Sequence, residues 1–413
     1  MDKMVNFQQR LEQYAALAVE VGVNVQPGQT LCIISTIGAA PLVREVAKQA
    51  YKIGAKYVHV DWSDENIIRT RSELASEEGL SYYPAWHAQG RVDMAKEGAA
   101  FLWVVAENPD LLKGIDASRI ALTSKAQQTA LQPFRHFTLN NKVAWSIVAY
   151  PSAEWANKVF PDLEEQERID ALWEAIFAAT RVDAPNPVET WKEHANTLRD
   201  KAQWLTERKF KELRYRAPGT DLTIGLPEGN LWASAGKHNS EGNLFIPNMP
   251  TEEVFTSPHR EKVNGTVSSS KPLNYNGNLI ENFSLTFKDG RIVDFQAEKA
   301  YETLRELVET DDGSHYLGEI ALVPHHSPIS NTDLIFYNTL FDENAACHLA
   351  IGFAFPFCLE GGLAMSKEQL KDKGLNDSLT HVDFMIGRSD LDIDGVTDDG
   401  NVVAIFRNGN WAI

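Results

Sequence analysis

The stretch TLCIISTIGAAPLVREVAKQAYKIGAKYVHVDW, Thr30 to Trp62, decides how the first part of the chain folds. Thr30 to Ile34 is a short apolar run of the kind that fills a buried strand. Ala40 to Ile53 changes to a helical period, and Gly54 supplies the stop that helices commonly need at their C-terminal end. Tyr57 to Trp62 is strand-like again, rich in β-branched and aromatic residues. Strand, helix, strand in this short span is the signature of a crossover unit, which brings its two strands together in parallel.

Working outward, Phe7 to Val21 has helical periodicity and is separated from Thr30 by a Pro27-Gly28 turn. Downstream, Ala99 to Ala106 and Lys142 to Tyr150 read as two more buried strands, with polar segments of helical character between them. The alternation predicts a mostly parallel, doubly wound sheet. Neither G-x-G-x-x-G nor a Walker A sequence occurs, so the sheet does not by itself imply nucleotide binding. Leu163 to Thr180 and Val188 to Glu207 are strongly helical and are broken by Pro185-Asn186-Pro187. A domain junction is expected here, giving an α/β domain over residues 1–190 and an α+β domain over 191–413. Beyond Lys211 the texture changes to short strands with Gly and Asn turns: Leu213 to Arg216, Asp221 to Ile224, Phe283 to Lys288 and Ile292 to Glu298. The turn Lys288-Asp289-Gly290-Arg291 is a hairpin signal.

At 413 residues the chain can bury large cores. Its formal charge of −18 argues against nucleic acid, whose phosphates demand basic patches. Acidity of this kind favours cations and substrates that carry an ammonium group. No run reaches the length needed to cross a bilayer, and Met1 to Arg10 is amphipathic without an apolar signal core, so a cytoplasmic location is expected. Three cysteines, Cys32, Cys347 and Cys358, are too few for a disulfide framework and lack thiolate-zinc spacing.

The chemistry-bearing residues concentrate late in the chain. In His381-Val382-Asp383, strand alternation would point both polar side chains the same way. Upstream, Asp342-Glu343-Asn344-Ala345-Ala346-Cys347-His348 reads as an acidic loop leading into an apolar helix, Ala345 to Phe353. Glu343 would then sit before the first helical turn, where its charge suits the helix N-terminus. Two further acidic positions stand out. Glu252 and Glu253 lie between a proline turn and a strand-like run, and periodicity does not choose between them. Glu319 opens an apolar strand, where a carboxylate needs a partner: a metal, a catalytic proton or a buried salt bridge. Pair by pair, a helix-terminal charge, a core histidine and a solvated aspartate would explain the same residues.

As a set, the runs Pro250-Thr251-Glu252-Glu253-Val254-Phe255-Thr256, Leu317-Gly318-Glu319, Asn338 to Ala345, His348-Leu349-Ala350-Ile351-Gly352 and His381 to Gly387 resemble the aminopeptidase T/S family of PepS-like thermophilic metalloaminopeptidases. The likeness spans essentially the whole chain, down to Phe406-Arg407-Asn408-Gly409-Asn410-Trp411. It implies a cytoplasmic exopeptidase that removes N-terminal residues from peptides with the help of two divalent metal ions. Zinc, cobalt, manganese and magnesium all suit mixed carboxylate and imidazole ligation. Carried over position by position, the ligands would be Glu253, Glu319, Glu343, His348, His381 and Asp383, which selects Glu253 over Glu252. Glu319 would also help to move a proton during metal-assisted hydrolysis. The resemblance further implies a homodimer whose N-terminal domain helps to enclose the active site.

One position departs from the family pattern. In Gly352-Phe353-Ala354-Phe355-Pro356, Phe355 stands where the family generally has tyrosine, a residue whose hydroxyl would donate to a developing oxyanion. Two other readings remain: a noncatalytic metal-dependent peptide-binding relative, and a two-metal phosphoesterase, against which the lack of an Arg or Lys cluster beside the ligand motifs argues. Ser268-Ser269-Ser270-Lys271 matches S-x-x-K, but Pro272 and the absence of companion motifs speak against a serine acyltransferase. Adjacent His325 and His326 would face opposite sides of a strand. Trp62, Trp145 and Trp155 read as core or interface residues.

Overall fold

A computed structural model describes residues 2–106, 108–275 and 278–413. The chain forms two compact units. One comprises residues 1–194 and 236–250, the other 195–235 and 251–413. The division therefore falls inside the helix Pro187–Arg208, and the short excursion 236–250 returns to the first unit.

The first unit is built on four parallel strands. Tyr57–Ser63 and Ala100–Val105 flank Thr30–Thr36, and Trp145–Ala149 joins at the far side of Ala100–Val105. The expected crossover helix is Ala40–Lys52. Both sheet faces are covered. Cys32 and Phe101 pack with Val92 and Ala95 of the helix Ala85–Lys96 and with Phe134 of Ala117–Leu139. On the N-terminal helix Asp2–Leu17, the buried Tyr14 hydroxyl donates to the Ala149 carbonyl and accepts from the Ala149 amide. The doubly wound α/β expectation holds, because near-continuous apolar strands need helices on both sides. Trp155 is a core residue, Trp145 packs against the cluster around Cys32 and Phe101, and Trp62 is exposed on the outer strand.

The second unit is dominated by antiparallel sheet. The larger sheet contains nine strands, including the hairpin Asn278–Lys288 and Arg291–Lys299. Asp289 and Gly290 both take positive φ in its turn, as the sequence suggests. The smaller sheet orders its strands His381–Met385, His348–Gly352, Leu317–Leu322 and Val254–Thr256, each antiparallel to the next.

The smaller sheet corrects one expectation. Ala345 to Phe353 is not a helix: a 3-10 turn covers Glu343–Ala345, and His348–Gly352 is a strand. All five residues of that strand are buried, since it lies inside the sheet with both faces covered. Such a run lacks two-residue alternation, so its periodicity does not distinguish strand from helix. No helix among the described residues is long and apolar enough to cross a membrane.

Candidate metal centre

Strand register explains why the carboxylates and imidazoles meet. Glu319 lies opposite Ala350, and Ala350 lies opposite Asp383. In an antiparallel sheet these three side chains share a face. His348 is two residues before Ala350, and His381 two before Asp383, so both point to that face too. Phe255 pairs with Ala321, two residues after Glu319, which carries Glu253 to the same side. Ala350 contributes only a methyl group between Glu319 and Asp383, leaving space there.

Two donor sets result: Glu253 with Glu319 and His348, and Glu319 with His381 and Asp383. Glu319 belongs to both. Its Oε2 lies 3.0 Å from His381 Nε2. His348 Nε2 is 3.4 Å from Glu253 Oε2, and His381 Nε2 is 3.4 Å from Asp383 Oδ1. The other ring nitrogens face the backbone: His348 Nδ1 is 3.1 Å from the Ala346 carbonyl and His381 Nδ1 is 2.7 Å from that of Phe353. A proton on each Nδ1 would leave Nε2 as the ligating atom.

Glu343 adjoins both sets, lining one cleft with His381 and Asp383. It is half-buried and belongs to neither set, although burial, followed by the charges of Glu253 and Asp383, raises its carboxyl well above the usual range. Glu252 is buried, and its backbone amide donates to Asn344 Oδ1 at 2.8 Å, so the loop geometry turns Glu253 toward His348.

The electrostatics are those of crowded anions. Burial pushes Glu319 up to about 7, helped by Asp383 and Glu253 and opposed by the His381 hydrogen bond. Burial alone would depress the imidazoles. It is outweighed at His348, raised to about 10, by Glu253 and further carboxylates, and at His381, raised to about 11, by Asp383 and Glu319. Left to themselves these groups hold protons to offset repulsion, a role a divalent cation fills more completely. Asp383 Oδ1 is buried and accepts no well-formed hydrogen bond, only the ion pair with His381 Nε2 at 3.4 Å, another sign that the donors suit a cation. Carboxylate oxygens and imidazole nitrogens are the ligands that borderline divalent ions take.

Glycines allow the strands this approach. Gly352 has φ +112°, and a Cβ there would lie 2.2 Å from the Thr380 carbonyl oxygen; at Gly318 one would lie 2.1 Å from that of Phe353. Gly352→Ala is expected to destabilise the protein by roughly 2–4 kcal/mol through strain and displaced backbone. Denaturant unfolding of the metal-free protein measures this, and an unchanged midpoint would refute it.

Other sequence candidates lie elsewhere. Cys347 exchanges hydrogen bonds with the Val323 backbone, and burial raises its thiol to about 12, which removes it as a nucleophile. The His326 amide donates to Asn410 Oδ1, and neither His325 nor His326 joins a donor set among the described residues. Phe355 packs its ring 4.9 Å from the His381 imidazole and stacks on Phe357 at 5.1 Å. Sequence reasoning gave Lys271 no role beyond a rejected motif. It lines a cleft with Glu343, His381 and Asp383. No periodic signal marks it, because it lies three residues beyond the end of the strand Val263–Ser268 and outside any strand.

Comparisons with known proteins agree along the full chain. Aminopeptidase AmpS of Bacillus subtilis is 55% identical over 409 residues, covering 99% of this chain and 100% of the relative. Aminopeptidase 2 of Geobacillus stearothermophilus is 52% identical, with 99% of each chain covered. The structure of wild-type AmpT from Thermus thermophilus superposes with a TM-score of 0.92 at 42% identity, covering 98% of this chain and 100% of that one. With residues 7–411 matching the family described as thermophilic metalloprotease (M29), and with relatives this similar over their whole length, the chain belongs to that metallopeptidase family.

Proposed function

We propose that the protein is a two-metal aminopeptidase that hydrolyses the N-terminal residue from peptides. The observation that carries this reading is the pair of donor sets joined through Glu319, on one face of a sheet in a chain related throughout to aminopeptidases. Glu253, Glu319 and His348 would hold one divalent ion, and Glu319, His381 and Asp383 the other, with Glu343 as a further carboxylate beside them. When bound, such ions act as Lewis acids that polarise a carbonyl and make water more acidic.

The chain's own residues supply the rest. Glu343, the carboxylate outside the two donor sets, would attract a substrate ammonium group, and an acylated N-terminus has no such charge to offer it. The backbone carbonyls of Ala346 and Phe353 orient the imidazoles through Nδ1. Glu319 would also help to move a proton, from the attacking water to the leaving amine. Phe355 lacks the hydroxyl expected at its position and lowers turnover. The family resemblance extends the reading to a cytoplasmic homodimer, with residues 1–190 as a capping and dimerisation domain. The noncatalytic binder and the phosphoesterase gain no support from the relatives, which are named as aminopeptidases.

The test is release of free amino acid from one short peptide, unblocked and N-acetylated, by chelated protein reconstituted separately with zinc, cobalt, manganese or magnesium. Metal-dependent cleavage of only the unblocked peptide is expected. Cleavage of both forms, or of neither, would refute the aminopeptidase reading.

A further inference from the structure

The cleft that reaches His381 and Asp383 has a volume of about 290 Å³, near the lower end for ligand pockets. Its walls include Leu273, Leu279 and Ile335, with Tyr275 and Tyr337. Among these apolar residues sits one lysine, Lys271, half-buried. Among the described residues it has no ion pair. Asp342 lies close enough to feel its charge, but the Asp342 oxygens already accept backbone amides from Phe336 at 2.7 Å and Asn338 at 3.0 Å. A lysine kept in an acidic catalytic cleft without a fixed partner is available to a ligand anion.

Its position is set by the sheet. The Ser270 amide donates to the Met385 carbonyl at 2.8 Å, which ties the Lys271 segment to the strand carrying His381 and Asp383. Met385 is two residues beyond Asp383, about 7 Å along a strand. An extended dipeptide separates its ammonium and carboxylate by a similar distance, at about 3.3–3.6 Å per residue. Glu343, the carboxylate outside both donor sets, lines the same cleft and would hold the ammonium end, while Lys271 repels it, so the lysine suits the other end.

Resting on the aminopeptidase reading, we infer that Lys271 binds a substrate carboxylate on the leaving side of the scissile bond, making dipeptides and peptides with an acidic second residue preferred substrates. The carboxylate has two sources, the C-terminus or an acidic side chain, and the cleft chemistry is the same for both.

The experiment measures kcat and KM of the metal-loaded enzyme, wild type, Lys271→Met and Lys271→Arg, on two matched pairs. Leucyl-glycine against leucyl-glycinamide reports the terminal carboxylate. Leucyl-aspartyl-amide against leucyl-asparaginyl-amide reports the side chain. Comparing ratios between variants cancels differences in leaving-group chemistry. Lys271→Met is expected to lower the acid-to-amide ratio of kcat/KM about tenfold or more in at least one pair, chiefly through KM, as loss of a charge-assisted hydrogen bond should. Lys271→Arg should retain much of the ratio. The pair that responds identifies the source. Equal ratios in wild type and Lys271→Met would overturn the inference while leaving the aminopeptidase intact, as would a uniform loss on all four substrates. Failure of the wild type to cleave any of them would overturn the aminopeptidase reading and this inference with it.

Discussion

Glu319→Ala is expected to abolish metal retention at both donor sets and to lower peptide turnover at least about 1,000-fold. Glu319 is the carboxylate common to the two sets, so its loss leaves only Glu253 and His348 on one side and His381 and Asp383 on the other. Two remaining ligands from each set are a weak hold on a divalent ion. Losing the Lewis acid forfeits several kcal/mol of transition-state stabilisation, and each 1.36 kcal/mol is about tenfold in rate. The single-set variants should differ. His348→Ala should release mainly the ion held with Glu253, and Asp383→Ala mainly the one held with His381. Elemental analysis after gel filtration, alongside turnover, distinguishes these outcomes. The variant should still fold, because removing one of several crowded buried carboxylates relieves repulsion in the metal-free protein. Wild-type protein should gain thermal stability from added metal, by about 4 kcal/mol at a thousandfold excess over Kd, and Glu319→Ala should not. Full metal content with normal turnover in Glu319→Ala would sink the shared-ligand assignment.

Phe355→Tyr is expected to raise peptide turnover roughly 100- to 1,000-fold with little change in metal affinity, if the tyrosine hydroxyl donates to the developing oxyanion as proposed. The phenyl ring already lies against His381 and between neighbouring aromatic rings, packing 5.8 Å from Phe255 and 5.1 Å from Phe357. Tyrosine keeps that ring and adds one donor at its tip. The backbone would not need to move, because the residue 355 amide is fixed by the Ser257 hydroxyl at 2.9 Å. The gain should appear in kcat rather than KM, since the oxyanion exists only near the transition state. Equal rates in the two proteins, at equal metal loading, would remove the oxyanion argument and leave Phe355 a packing residue.

By itself, the sequence determined the elements whose signals are local. Strand, helix and strand from Thr30 to Trp62 follow from hydrophobic periodicity and a glycine stop, and the Lys288 to Arg291 hairpin from its turn residues. The shared face of His381 and Asp383 follows from strand alternation alone. Tertiary structure decided the rest. His348 belongs to a strand rather than a helix because it pairs with strands on both sides, and burial of every residue in that strand erases the periodic signal. Glu253 and Glu319 meet His348 through cross-strand register between segments far apart in sequence, and no local propensity encodes such a register. Ala350 as the gap between two carboxylates and Lys271 as the lysine in their cleft are likewise visible only once the strands are aligned.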